Sequence, residues 1–181
     1  GLGLPLYAPD QSNKLVTPGS GTILRPLNGN GLIGTNPSSP NVVVAANGGS
    51  DLIYLPGASN NSAFAKQVVN LLLQQDYVSG LFVSDSLGAI PGTLPLSAIN
   101  LQGSAITPVP TIAVNFRSYT APGCTTPTPL ACTVEIADTG LQQGQGMHGT
   151  FSRADTFNYM AVAGPDFKQA YADLAPVSNA D

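Results

Sequence analysis

The chain has a single histidine and few charged residues. Lysine and arginine together number 6, aspartate and glutamate 10, and charged residues make up 9% of the 181. The six cations are scattered from Lys14 to Lys168, and the formal net charge is −4. This distribution argues against the basic stripe with which nucleic-acid-binding proteins neutralise phosphates.

Long apolar runs are absent as well. No run approaches the roughly 18 residues that a bilayer-spanning helix needs, so we expect no membrane partner. The opening Gly-Leu-Gly-Leu-Pro-Leu lacks the charged flank of a signal peptide. We therefore expect a soluble chain whose natural start lies elsewhere.

Glycine and proline are abundant, with 20 and 16 copies, beside 43% hydrophobic residues. An apolar content of this size, divided by many turns, indicates one loop-rich α/β or α+β domain. Residues 1–40 hold six prolines and show little alternation, which predicts an irregular Pro/Gly-rich arm. The domain itself is predicted over residues 41–181.

Apolar periodicity predicts the elements of that domain. The β-branched run 42–46, the turn signal Asn47-Gly48-Gly49 and the run 52–55 predict a hairpin. Three- and four-residue spacing predicts a helix that is capped by Asn60 or Asn61 and extends to about Gln75. Further strands are predicted over 78–83, 111–116, 133–136 and 157–163. We expect a mixed sheet with one or two packed helices.

The two cysteines, Cys124 and Cys132, flank a short proline-containing loop. A polar, weakly charged composition is typical of exported proteins, and an oxidising compartment favours a disulfide between them. Two free thiols are the alternative. The spacing matches no standard zinc site.

The segment 138–156 is the densest polar, glycine-spaced part of the chain, with glycines at 140, 144, 146 and 149 around His148. Such glycines allow close backbone approach to a ligand, and a neutral imidazole can act as a metal ligand or as an acid–base group. Without further context, a lone histidine between glycines is more often a turn residue, because it supplies only one coordinating group.

Other polar residues favour structural roles. Asp51 is interpreted as part of a turn that leads into a strand, because no phosphate-loop lysine follows, and Asp85 as a loop cap. Ser152 lacks the Gly-x-Ser-x-Gly setting of a hydrolase nucleophile. Tyr159 and Met160 are predicted to be core residues.

The His148 segment resembles a motif of a known family. Gly-Met-His-Gly at 146–149, the following predicted strand and Gly-Pro-Asp-Phe-Lys at 164–168 are similar to the final motif of type I phosphodiesterases and nucleotide pyrophosphatases. These enzymes belong to the alkaline phosphatase superfamily. The resemblance covers about residues 41–181, most specifically around His148, and implies the C-terminal part of an alkaline-phosphatase-like fold.

The resemblance implies that His148 is a ligand of one of two zinc ions in an enzyme that hydrolyses phosphate esters. Two zinc ions can stabilise both the attacking and the leaving oxygen of an in-line displacement. Arg153 then either contacts a substrate phosphate or pairs with Asp155. The low-charge composition rich in Asn, Gln, Ser and Thr, together with the expected disulfide, favours a periplasmic or secreted location.

The family's other ligands and its Thr or Ser nucleophile cannot be located, and with one histidine the remaining histidine ligands are missing by count. We therefore expect the C-terminal portion of a longer hydrolase, inactive alone, whose N-terminal portion carries the nucleophile and the other ligands. The alternatives are a non-catalytic secreted binding or structural module and an all-β interaction domain. The amphipathic segment 61–75 speaks against an all-β domain.

Overall fold

The computed structural model describes residues 1–20, 23–101, 106–125, 132–138, 148–156, 161, 163–166 and 168–172. For Ala58, Arg153 and Ala154 it describes the backbone only. The fold is mixed α/β, with an eight-stranded sheet and a helix packed on one face. Among the described residues, no helix combines the length and the apolar character that crossing a bilayer demands.

The main sheet has the strand order β2-β1-β3-β4-β5-β8-β6-β7. All neighbouring strands run antiparallel except β6 and β7, which are parallel. Its strands are β1 (Leu6–Ala8), β2 (Lys14–Leu15), β3 (Gly31–Ile33), β4 (Val42–Ala46), β5 (Ser50–Tyr54), β6 (Val78–Val83), β7 (Leu94–Pro95) and β8 (Ile112–Phe116).

The predicted hairpin is confirmed. β4 and β5 pair from Val43 opposite Tyr54 to Ala46 opposite Asp51, and the Asn47 N–H donates to the Ser50 carbonyl across the turn. The central residues of this turn are Gly48 and Gly49. The alternating side chains of both strands then face the helix or the opposite side of the sheet.

The predicted helix is confirmed as α1 (Ser62–Leu72), three residues shorter than expected at its C-terminal end. Asn61 is the N-cap, because its side-chain oxygen accepts a hydrogen bond of 2.9 Å from the Phe64 N–H. The helix buries Ala65, Val68 and Val69 against the sheet. These residues and the inward side chains of β4, β5, β6 and β8 form the main core.

The segment 1–40, predicted to be irregular, contributes β1, β2 and β3 to one side of the sheet. Each has only two or three residues, so no alternation could develop in the sequence. The strands are fixed instead by pairing, such as Leu32 opposite Val43. The arm is therefore part of the sheet, with long turns between its strands.

A separate two-stranded sheet consists of β9 (Ser118–Thr120) and β10 (Thr133–Glu135). Strands predicted over 111–116 and 133–136 are thus present, the second outside the main sheet. Cys124 and Cys132 form the predicted disulfide, with their Cα atoms 5.9 Å apart. The bond closes the connection between β9 and β10.

The strand predicted over 157–163 lies largely outside the described residues, as do Tyr159 and Met160. Asp85 fulfils its predicted role in a loop. Its carboxylate accepts hydrogen bonds from the backbone N–H and the hydroxyl of Ser97, at 3.2 and 2.6 Å. It thereby links the chain after β6 to the turn after β7.

Candidate functional site

The turn between β4 and β5 is a meeting point for distant parts of the chain. The Asp138 N–H donates to the Gly48 carbonyl at 3.0 Å, and the Gly49 N–H donates to the His148 carbonyl at 3.1 Å. The Phe116 N–H, at the end of β8, donates to the Gly49 carbonyl at 3.0 Å. The segments at Asp138 and at His148 are therefore both attached to this turn.

The segment His148–Thr150 lies directly against the turn. A Cβ atom added to Gly49 would collide with the Thr150 side chain. Gly149 has φ +81°, and a Cβ there would collide with the Asn47 carbonyl oxygen. Glycine at both positions permits a backbone approach that any side chain would prevent.

A buried asparagine fixes the same segment to the sheet. Asn115 on β8 is 8% exposed, and its side-chain oxygen accepts a hydrogen bond of 2.9 Å from the Phe151 N–H. Its amide donates to the Ser79 hydroxyl and to the Phe116 carbonyl, at 2.8 and 3.1 Å. The Phe151 ring packs against Phe82 with centroids 5.2 Å apart. The loop is thus held by hydrogen bonds and by an aromatic contact.

The His148 side chain is exposed, although its main chain is hydrogen-bonded to the turn. An exposed imidazole on a fixed backbone is available to an external ligand. Arg153 begins the short helix α2 (Arg153–Thr156), but its side chain lies outside the described part. Whether Arg153 faces a substrate or Asp155 stays a prediction.

Ser152 has the structural role that its sequence setting favours. It is 3% exposed, and its hydroxyl accepts a hydrogen bond of 3.2 Å from the Asp155 N–H, as an N-cap does. Its own N–H donates to the Thr150 hydroxyl at 2.9 Å. Ser152 therefore caps α2 directly after the His148 loop.

Two acidic residues meet beside this cap. Burial raises the pKa of the Glu135 carboxyl, and so do the charge of Asp155 and a hydrogen bond with it. Hydrogen bonds with the Ser152 and Thr150 hydroxyls oppose that shift, because they favour the ionised form. These contacts join β10 to the loop that carries His148.

A second acidic pair lies on the helix side of the sheet. Asp51 was interpreted as a turn residue, but it lies within β5 and faces an apolar cavity together with Asp138. Burial, and then the nearby Asp138 charge, raise the pKa of Asp51 from 3.8 to about 7. The pKa of Tyr77 is also raised, first by burial and then by the charges of Asp51, Asp138 and Asp76.

The raised pKa of Asp51 predicts a pH-dependent stability. Between about pH 4 and pH 7 the folded chain keeps the Asp51 proton that the unfolded chain loses, so the free energy of unfolding falls as pH rises. Asp51→Asn stays neutral and should raise the free energy of unfolding by about 2 kcal/mol at pH 8.5. The gain should vanish near pH 4. This figure is about half the full linkage, since Asp51 is partly exposed.

Urea unfolding at both pH values measures this effect. Asp76→Asn is the matched control, because it removes the same charge from an exposed residue and should change stability by less than about 0.5 kcal/mol at either pH. If Asp51→Asn changed the free energy of unfolding equally at pH 4 and pH 8.5, the pKa of Asp51 would not be raised by burial.

Two residues of these sites were missed in the sequence. Asn115 is the polar residue of the apolar strand Ile112–Phe116. An amide in such a strand is expected to be buried, and a buried amide needs a hydrogen-bond partner. Asp51 shares its strand parity with Ile53 and Leu55, which signals an inward carboxyl. In both cases the signal was present, but it did not identify the partner.

Within the described residues, no group of three or more His, Cys, Asp or Glu side chains is placed to hold a metal ion. Comparisons of the chain with protein-family models, with curated proteins and with solved structures found no match.

Proposed function

We propose that this chain is the C-terminal portion of a zinc-dependent phosphodiesterase or phosphatase, in which His148 is one metal ligand. The observation that carries the proposal is the exposed imidazole of His148 on a loop fixed to the sheet through Gly49 and Asn115. The Gly-Met-His-Gly setting, similar to the last motif of type I phosphodiesterases, supports it. We also propose that the sheet and α1 belong to an alkaline-phosphatase-like fold.

The donor chemistry suits zinc at this position. Neutral imidazole nitrogen is among the preferred zinc ligands, and the fixed backbone limits the entropy that His148 loses when it binds a metal. A zinc ion held with the help of His148 would supply Lewis-acid stabilisation of the phosphoryl oxygens. One histidine cannot hold a catalytic zinc, so the proposal requires further ligands from outside these 181 residues.

The roles of this chain's own residues follow from the anchoring contacts. Gly149 lets the loop approach the Asn47 carbonyl, and Asn115 holds the Phe151 backbone, so the His148 backbone is held against the β4–β5 turn. Arg153 would bind a phosphate oxygen pair through its planar guanidinium. The disulfide is compatible with the periplasmic or secreted location that we propose.

The test compares the 181-residue chain with a longer product of the same gene. With added zinc, the 181-residue chain should not hydrolyse bis(p-nitrophenyl) phosphate, because a single ligand does not fix a catalytic metal. The coding region before Gly1 should supply a Thr or Ser nucleophile near an Asp, an Asp-x-x-x-His pair and an Asp-His pair.

A coding region without these residues would make the hydrolase proposal wrong and favour a non-catalytic secreted module. Zinc-dependent turnover by the 181 residues alone, lost in His148→Ala, would show instead that the chain already contains a complete site. The number of zinc ions bound per chain is measured by mass spectrometry on the same purified proteins that are used in the hydrolysis assay.

A further inference from the structure

An apolar cavity with a volume of about 570 Å³ lies between α1 and the sheet. This volume is in the range that accommodates small organic ligands. The sheet contributes Val44, Ile53 and Val114 to its walls, and α1 contributes Val68 and Leu72. The lining is mostly hydrocarbon, which suits a ligand with an aliphatic body.

The charged side chains that line this cavity are acidic. Asp51 and Asp138 line it, and no Lys, Arg or His side chain is among the described residues that do. The Asp138 charge contributes to the raised pKa of Asp51, and the charges of Asp51 and Asp138 contribute to the raised pKa of Tyr77, so the three groups lie close together. Gly1 lines the helix side, against Leu71. The sheet side of the cavity is therefore complementary to a positive charge.

Asp51 provides a second, independent indication of a ligand. Its Oδ1 atom is buried and has no hydrogen-bond partner. A buried oxygen without a partner is unfavourable, because it has lost its hydrogen bonds to water, and a ligand that donates a hydrogen bond would remove this cost. The Tyr77 and Phe116 rings, edge to face with centroids 6.0 Å apart, also line the cavity. Aromatic faces attract cations.

We propose that this cavity binds an aliphatic primary amine, with its ammonium group at Asp51 and Asp138 and its hydrocarbon chain along the apolar walls. The ammonium supplies three N–H donors, enough for both carboxyls. The hydrocarbon chain leaves water as it enters the cavity, and the loss of exposed apolar surface favours binding. Neither His148 nor phosphate chemistry is involved, so this proposal stands apart from the hydrolase.

The ionisation of Asp51 gives the proposal a pH signature. An ammonium beside Asp51 favours the carboxylate, so amine binding below pH 7 releases a proton. An alkylammonium stays charged throughout this range. Affinity should therefore rise about 30-fold from pH 5.5 to pH 8, since only the ionised form of Asp51 binds well.

Calorimetric titration of the 181-residue chain with n-octylamine tests the site, with 1-octanol as the uncharged ligand of equal length. At pH 8 the amine should bind at least about tenfold more tightly than the alcohol. Asp51→Asn and, separately, Asp138→Asn should each weaken amine binding at least about tenfold. Asp76→Asn, which removes an exposed charge outside the cavity, should leave it unchanged.

Equal affinities for the amine and the alcohol would make the cavity a purely apolar site and overturn the proposal. So would the absence of binding by either probe, or wild-type amine affinity in a folded Asp51→Asn or Asp138→Asn variant. Circular dichroism establishes that the variants fold, and two variants are used so that one failure to fold does not end the test. A flat pH profile would likewise exclude Asp51 as the contact.

Discussion

Gly149→Ala should detach the loop that carries His148 from the turn between β4 and β5. Alanine would have to adopt φ +81°, and its Cβ would collide with the Asn47 carbonyl oxygen. Left-handed strain and overpacking together are expected to cost about 3 kcal/mol. Gly149 follows His148 directly, and the His148 carbonyl accepts a hydrogen bond from the Gly49 N–H. We expect this hydrogen bond to break in Gly149→Ala.

Hydrogen exchange measures this opening directly. The Gly49 and Phe151 N–H groups, which donate to His148 and Asn115, should exchange about 10²-fold faster in Gly149→Ala. Gly123→Ala is the matched control, since Gly123 also has positive φ (+77°) but an added Cβ there would meet nothing within 4 Å. Gly123→Ala should cost only about 1 kcal/mol, because left-handed strain is its only penalty. Unchanged exchange in Gly149→Ala would mean that the loop is not fixed as described.

His148→Ala should abolish most of the activity of the proposed complete hydrolase while leaving its fold intact. Loss of one zinc ligand removes preorganised stabilisation of charge in the transition state, and we expect kcat/KM to fall about 10³-fold. The His148 side chain is exposed, so its removal should change the free energy of unfolding by less than about 0.5 kcal/mol.

The measurements are hydrolysis of bis(p-nitrophenyl) phosphate and zinc bound per chain. Lys66→Ala, on the exposed face of α1, serves as the control and should retain both. If the His148→Ala enzyme kept normal zinc content and normal turnover, His148 would be a turn residue and not a zinc ligand. Loss of turnover together with unfolding would point to a structural role.

Local sequence signals predicted the elements that depend on local chemistry. The Asn47-Gly48-Gly49 turn and the β-branched run before it were enough to place the β4–β5 hairpin. The capping asparagine and three- and four-residue spacing were enough for α1. Both depend on interactions between residues close together in the chain, which a sequence displays directly.

Other features depend on partners far along the chain. β1–β3 are too short to show a period, and pairing between neighbouring strands defines them. The contact between Asn115 and Phe151 joins residues 36 positions apart. The raised pKa of Asp51 requires both burial and Asp138. The sequence contains these residues, but only the fold shows which of them meet.

The strand order also determines when the His148 loop can dock during folding. The loop contacts the β4–β5 turn and β8. These two contact points come together only when β5 pairs with β8, which lies about 60 residues later in the chain. Closing a chain loop of that length has an entropic cost that local contacts cannot offset. The surface that receives the loop therefore does not exist until the centre of the sheet has formed. We therefore expect the His148 loop to dock only after β5 has paired with β8, and an incompletely folded chain would lack the fixed histidine.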